Sequence, residues 1–431
     1  MPSKSTIWFI GGFVVSVIAL LLLGWFLFLR NEQGAISEVL LGRGFSSSIP
    51  TFEGGATGST NRNLRESLFE DFGFSSKTTS GAKEAEPDVF QTPRLWQVSG
   101  IPAAGVVAIN KSLMGGASTT SPFFIQFVER PTGHIFEADP KTGSIARVSN
   151  TLIPNTQEAS WAAEGQVLLR HLDDELDILT FSGRIEEATS TEGGGTKLAG
   201  QYLEPDIVSI ATHPETEGVF SLIKTVSGVV GIIAGSDGNN AKRIFDSTLS
   251  GWRATRAGDF FVLTQNPSHG AMGSVYTLTE GGVLSAVVLN RPGLTAIVNS
   301  SNTAYLYGEA AGGTMRLFVS ANGGSSQELF VATLADKCVF DPSQEFVVFC
   351  AVPNQTSALP MPDSWYRGET HFSDTWWKIN TLEKSAEHIF SPESEFGVSL
   401  DVRDPYMNEG GTHIMFLDAL TLTPWAFRIT P

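Results

Sequence analysis

The stretch FFIQF, near Phe124, begins a pattern that returns six more times along the chain. The matching stretches are VLLRHL from Val167, VFSLIK from Val219, FFVLTQ from Phe260, AYLYG from Ala304, FVVFC from Phe346 and IMFLD from Ile414. Their starts are separated by 43, 52, 41, 44, 42 and 68 residues. Each stretch follows a shorter apolar strand and precedes two more. Units of four strands with a period of roughly 40–45 residues are typical of a β-propeller, and seven units exceed what a two-sheet sandwich needs.

Fourth strands support the same architecture, at residues 144–149, 242–247, 283–289, 327–332 and 386–391. The last unit reaches Pro431 after only three strands, and RLWQVS at 94–99 looks like a fourth strand that precedes the first unit. We therefore predict an all-β, seven-bladed β-propeller over residues 91–431, with six blades as the alternative. The N-terminal strand is expected to complete the last blade, because an unpaired sheet edge invites aggregation.

Several turns between these strands carry a family resemblance. The turns are Thr212-His213-Pro214, Phe340-Asp341-Pro342, Arg403-Asp404-Pro405 and Asp139-Pro140-Lys141-Thr142-Gly143. They resemble the SPDG and D-x-x-T-G turns of TolB-like and WD40-like bacterial propellers, and the resemblance covers most of the chain after residue 100. WD dipeptides are absent, and several units lack the Pro-Asp-Gly turn. The resemblance implies a bacterial propeller but names no activity.

The N-terminal sequence has the pattern of a membrane anchor. Residues 7–29 carry no charge and lie between Lys4 and Arg30. As a helix rising ~1.5 Å per residue they would span about 34 Å, enough for a hydrocarbon core of roughly 30 Å. A cleaved signal peptide has a shorter apolar region and a small-residue cleavage site, which this segment lacks. We predict residues 1–30 to be a single-pass transmembrane anchor, with the N-terminus in the cytoplasm because Lys4 precedes the span.

A tether follows the anchor. Residues 31–90 are rich in Gly, Ser and Thr, which favours a flexible linker. Within it, residues 61–72 place Leu64, Leu68 and Phe72 on one helical face, the pattern of a short amphipathic helix. The alternative is that a lone helix of this length is mostly unfolded.

The composition and the motifs of the chain exclude several classes of function. Lys and Arg total 28 against 45 Asp and Glu, for a net charge of −17, which argues against nucleic acid as a partner. The sequence has no G-x-S-x-G elbow, H-E-x-x-H motif or Walker loop, and its seven histidines lack metal-ligand spacing. We assign no catalytic residue, metal or cofactor from the sequence.

The only two cysteines, Cys338 and Cys350, fall on the first two strands of the sixth unit. A hairpin centred on Gln344 would place them directly opposite each other, close to disulfide range. We predict a disulfide formed outside the cytoplasm. The alternative is a pair of buried free thiols.

The long sixth unit contains an insertion at about 352–375, between its second and third strands. The insertion carries Trp365, Tyr366, Arg367 and His371, residue types that are enriched at interaction hot spots. They are candidate partner-binding residues. The alternative is a proline-rich flap that folds its aromatic side chains over the channel or a neighbouring blade.

A second candidate lies in an acidic turn on the same predicted face. Asp173, Asp174 and Glu175 could bind Ca²⁺ or a ligand, or serve as acid and base. The turn lacks the D-x-D-x-D-G ligand pattern, so a solvated turn is the alternative.

These observations favour a protein that is not an enzyme. The leading hypothesis is a membrane-tethered, extracytoplasmic interaction module of the cell envelope that binds a protein, peptide or glycan. A second hypothesis is an extracytoplasmic hydrolase or lyase with carboxylates at the propeller channel. A third is a structural subunit of an envelope assembly.

Overall fold

The computed structural model describes residues 92–110, 123–175, 177–187, 196–311 and 314–430. The predicted anchor, linker and helix at 61–72 lie outside these ranges. In the part of the chain that is described, no helix is long and apolar enough to span a membrane.

The described residues form seven four-stranded antiparallel sheets, each one blade of a propeller. The first blade contains β2 (Ala103–Ile109), β3 (Phe124–Glu129), β4 (Ile135–Ala138) and β5 (Ile145–Arg147). The second contains β6 (Thr156–Ala162), β7 (Gln166–Leu172), β8 (Ile178–Glu187) and β9 (Thr196–Tyr202). The third contains β10 (Ile207–Ala211), β11 (Gly218–Thr225), β12 (Gly228–Gly235) and β13 (Lys242–Ser247).

The remaining blades repeat this plan. The fourth contains β14 (Trp252–Ala257), β15 (Phe260–Gln265), β16 (Met272–Thr279) and β17 (Leu284–Pro292). The fifth contains β18 (Thr295–Val298), β19 (Ala304–Ala311), β20 (Thr314–Ala321) and β21 (Gln327–Glu328). The sixth contains β22 (Cys338–Phe340), β23 (Val347–Pro353), β24 (Asp374–Asn380) and β25 (Ser385–Phe390). The seventh contains β26 (Val402–Met407), β27 (His413–Asp418), β28 (Pro424–Arg428) and β1 (Leu95–Gln97).

Short helical segments complete the fold. Within the described ranges, two 3-10 turns span Ala163–Gly165 and Ala335–Lys337, and two short α-helices span Asp363–Tyr366 and Pro392–Phe396. Only the first of these α-helices lies in the insertion of the sixth blade.

The ring closes as the sequence predicted. β1 pairs antiparallel with β28, with Leu95 opposite Phe427 and Gln97 opposite Trp425. The strand that precedes the first blade is therefore the outermost strand of the last one. Seven blades are confirmed, and the alternative of six is wrong.

Because neighbouring strands of each blade run antiparallel, the connections between strands lie on two opposite faces of the propeller. The first strand of each blade lines the channel and starts at the face that we call the upper face, which also carries the connections between second and third strands. The lower face carries the connections between first and second strands and between third and fourth strands. Apolar residues of adjacent blades pack between the sheets, because each blade has two faces to bury.

Candidate functional site

The insertion of the sixth blade forms a strap over the upper face. We call residues 354–373 the strap; it connects β23 to β24 and contains the helix Asp363–Tyr366. Its buried side chains Met361, Trp365 and Phe372 pack with the fifth blade, with the connection between the fifth and sixth blades, and with the seventh blade, through Ala310, Met315, Leu334 and Ala419. Trp365 and Phe372 of the strap are therefore buried against other parts of the propeller.

A buried ion cluster lies beneath the strap. The Lys337 ammonium donates to Asp374 at 2.6 Å and also to Asp401, and all three side chains are inaccessible to water or nearly so. Trp365 Nε1 donates to Asp401 at 3.0 Å, and the Lys337 ammonium lies 5.2 Å from the Trp365 ring centroid. A buried charge is tolerated only when it is paired and hydrogen-bonded, and this arrangement meets that need.

The cluster carries two carboxylates against one ammonium. Burial is the main cause that raises the pKa of Asp374 to about 6; Lys337 lowers this pKa and Asp401 raises it. Asp374 Oδ1 has no hydrogen-bond partner among the residues that the structure describes. We therefore expect the protonation of Asp374 to depend on pH.

The strap is also attached to the fourth blade. Asp363 accepts from Ser268 Oγ at 2.9 Å and from the His269 backbone N–H at 2.6 Å. Burial favours the neutral carboxyl, but these hydrogen bonds prevail and lower the pKa of Asp363. The strap therefore spans the upper face from the sixth blade to the fourth.

Tyr366 lies at the upper mouth of the channel. Its hydroxyl donates to Asp336 at 2.6 Å and accepts from Arg253 at 3.3 Å, and the Arg253 guanidinium also bonds Asp336 at 2.9 Å. Burial, together with Asp336, raises the pKa of Tyr366. Even so, 37% of the Tyr366 surface is exposed. The mouth therefore presents an aromatic side chain whose position is fixed.

The other predicted strap residues lie at the edge of this surface. Arg367 is exposed and forms an ion pair with Glu369 at 2.8 Å. His371 is about one-third exposed, with Nδ1 3.6 Å from Asp401. All four predicted residues lie in the strap; Trp365 is buried, whereas Tyr366, Arg367 and His371 are accessible.

The acidic turn of the second blade lies apart from the strap. Asp173 Oδ1 accepts the backbone N–H groups of Glu175 and Asp177, both at 2.9 Å. Asp174 and Glu175 are exposed. Among the described residues, no hydrogen bond or ion pair joins this turn to the strap, and no group of three or more His, Cys, Asp or Glu side chains could hold a metal ion.

The structure also reveals a cluster at the lower mouth that the sequence did not indicate. Asn110 Nδ2 donates to Glu215 at 2.6 Å and to Glu409 at 2.5 Å, so three blades meet there. A hydrogen bond to Glu215 is the main cause that raises the pKa of Glu409. His213 and Tyr406 lie alongside, 3.5 Å apart through Nε2 and the hydroxyl.

The signal that could have found this cluster is positional. Asn110, Glu215 and Glu409 all lie just after the first strand of a blade. Those positions approach one another in a closed ring. Each residue alone has the polar character of an ordinary turn, so sequence reasoning passed over them.

Cys338 and Cys350 are joined by a disulfide. They face each other in the register of β22 and β23, and both side chains are buried. The bond links the channel-lining strand of the sixth blade to its neighbour.

Comparison with known proteins finds similar solved structures but no matching family. No protein-family model matches the chain, and no curated protein matches its sequence. Among solved structures, the tricorn protease matches with 10% identity and a TM-score of 0.48, over 81% of this chain and 35% of that one. Streptogramin B lyase matches with 14% identity and a TM-score of 0.47, over 77% and 96%.

TolB from Acinetobacter baumannii is also among the similar structures, with 11% identity and a TM-score of 0.39, over 72% of this chain and 68% of that one. The propeller fold itself is shown by the seven four-stranded sheets of the described residues. The chain spans only about a third of the length of the tricorn protease.

Proposed function

We propose that this chain is an interaction module of the cell envelope, tethered by its N-terminal segment, whose strap binds a protein, peptide or glycan partner on the upper face. The observation that carries the proposal is the fixed position of Tyr366 at the channel mouth. Tyr366 is held by Asp336 and Arg253, and Arg367 is exposed next to it. Aromatic residues and Arg dominate binding energy at interfaces, and a preorganised surface loses little entropy on binding.

Photo-crosslinking tests this proposal. A photoreactive amino acid at Arg367 should crosslink the full chain to a defined partner in native membranes. The matched control is Glu383, an exposed residue in the connection between β24 and β25 of the same blade, on the lower face. Partners captured equally from both positions, or from neither, would contradict an interaction through the strap.

A second candidate function is an acid–base enzyme at the lower mouth. It is favoured by Glu215 and Glu409, which share Asn110 and a hydrogen bond, so one carboxyl holds its proton more tightly than usual. Pairs of carboxyls with different proton affinities serve acid–base catalysis. The test is hydrolase and lyase activity that Glu409→Gln abolishes and Glu383→Gln leaves intact. Activity that survives Glu409→Gln would refute this candidate.

A further inference from the structure

The interface between the second and third blades is the least filled of the seven. Its apolar cluster has five buried side chains, whereas the other interblade clusters have eight to twelve. Among the described residues, it is also the one interblade cluster in which neither a buried nor a partly buried member is aromatic. Its members are Ala162, Leu168, Ile207, Ile210 and Val219, with Leu203 and Ile223 partly buried.

Small residues leave a groove between these two blades. Ser182 and Gly200 lie on the second blade, and Ser221 and Ala234 lie on the third. The tip of the β12–β13 hairpin crosses the groove, where Gln201 Nε2 donates to the Asp237 carbonyl at 2.8 Å. The groove has two compartments, of about 210 and 700 Å³, which share residues at this tip.

The two compartments differ in chemistry. One wall of the smaller compartment is apolar and consists of Ile207, Val219, Ile223, Ile232 and Ala234. The larger compartment is lined by the acids Glu164, Glu186, Glu217 and Asp237. Its only lining base, among the described residues, is Arg184, which already pairs with Glu164 at 2.8 Å. Lys197, outside the lining, lies 4.0 Å from Glu186, so the larger compartment keeps a negative charge.

We propose that this groove binds an extended peptide segment of a partner, in which an apolar residue is followed by Lys or Arg. Successive side chains of an extended peptide point in opposite directions, so the apolar one would enter the smaller compartment and the basic one the larger. Charge complementarity selects the basic residue, because the acids of the larger compartment repel an anionic one. The larger compartment falls in the size range of ligand sites, roughly 300–1,000 Å³.

This site is separate from the strap, because the strap reaches the fourth blade and the groove lies between the second and third. A partner could use both surfaces, but the inference does not depend on the proposed function. The two are tested by different residues.

Calorimetry on the purified full chain tests the inference, with the peptide Ac-Lys-Val-Lys-Val-amide as probe and Ac-Glu-Val-Glu-Val-amide as its charge-reversed control. We expect the Lys peptide to bind and the Glu peptide not to bind. Ala234→Trp fills the apolar wall and should weaken binding by about tenfold or more. Ala286→Trp is the matched control, because Ala286 is exposed on the fourth blade.

A second variant neutralises two acids of the larger compartment and is expected to keep the fold. Glu186→Gln with Glu217→Gln should weaken binding by about two- to fivefold per charge and reduce its dependence on salt. Glu383→Gln with Glu387→Gln changes the net charge equally on the sixth blade and should leave binding unchanged. No binding of the Lys peptide, equal binding of the Glu peptide, or equal losses in both neutralised pairs would overturn the inference.

Discussion

Lys337 shows at the scale of a single residue how the strap is held. Its side chain is completely buried between Asp374 and Asp401, and Asp401 in turn accepts from Trp365 Nε1 and from the Phe372 backbone N–H. Removing the ammonium would leave two buried carboxylates facing each other. The stability of the strap is therefore expected to depend on this one side chain.

Lys337→Met should lower the free energy of unfolding by about 3–5 kcal/mol at pH 7.5, the usual cost of breaking a buried ion pair. Urea denaturation measures the change. Lys378→Met, at a partly exposed position on β24, is the control and should change it by less than about 1 kcal/mol. Equal effects of the two variants would mean that the buried cluster does not hold the strap.

Asp374 should make the stability of the protein fall as the pH rises. Because burial raises its pKa to about 6 in the folded state, against about 3.9 when unfolded, the fold prefers the protonated carboxyl. Its contribution to stability is complete below pH ~4 and is lost as the pH rises through about 6. Between pH 4 and 6.5, the stability of the parent protein should therefore fall more steeply than that of Asp374→Asn. Parallel stability curves would contradict the raised pKa.

At the scale of elements, the strands and the insertion were predictable from the sequence, but the contacts that hold the strap were not. Recurring short apolar stretches located the second strand of every blade, and a hairpin centred on Gln344 gave the register in which Cys338 faces Cys350. Both are local patterns. The strap is held by residues such as Ser268 and Asp401, which are distant in sequence, so no local pattern reveals them.

The predicted fourth strands were also found, although β1, β5 and β21 are shorter than predicted, β21 most of all. β21 pairs only through Gln327 and Glu328, although the apolar pattern extended to residue 332. Leu329 and Val331 instead turn into the core between the fifth and sixth blades. In this segment the apolar pattern reflects the burial of Leu329 and Val331, whereas strand pairing ends at Glu328.

Mutations in β1 test whether this strand closes the ring. Leu95 is buried against the core of the last blade, whereas Gln97 on the same strand is exposed. Leu95→Asp should lower the free energy of unfolding by at least about 3 kcal/mol, because it removes apolar burial and buries a charge. Gln97→Asp, the control, should change it by less than about 0.5 kcal/mol. Urea denaturation would refute the closing role if both variants were equally stable.

At the scale of the whole molecule, repetition made the ring predictable and left its mouths unpredictable. Seven similar units imply a closed ring, because each needs a neighbour on both sides to bury its faces. The residues that meet at a mouth come from separate blades, as Asn110, Glu215 and Glu409 do. Their meeting depends on the number of blades and the length of each turn, which no single unit encodes.

The proposed role depends on the propeller being outside the cytoplasm, and the oxidation state of Cys338 and Cys350 tests this directly. The full chain would be taken from its native membrane without reductant, denatured and treated with a thiol-alkylating label. The account predicts no labelling until a reductant is added, because a disulfide persists in an oxidising compartment. Immediate labelling of both cysteines would contradict it and would place the propeller in a reducing compartment.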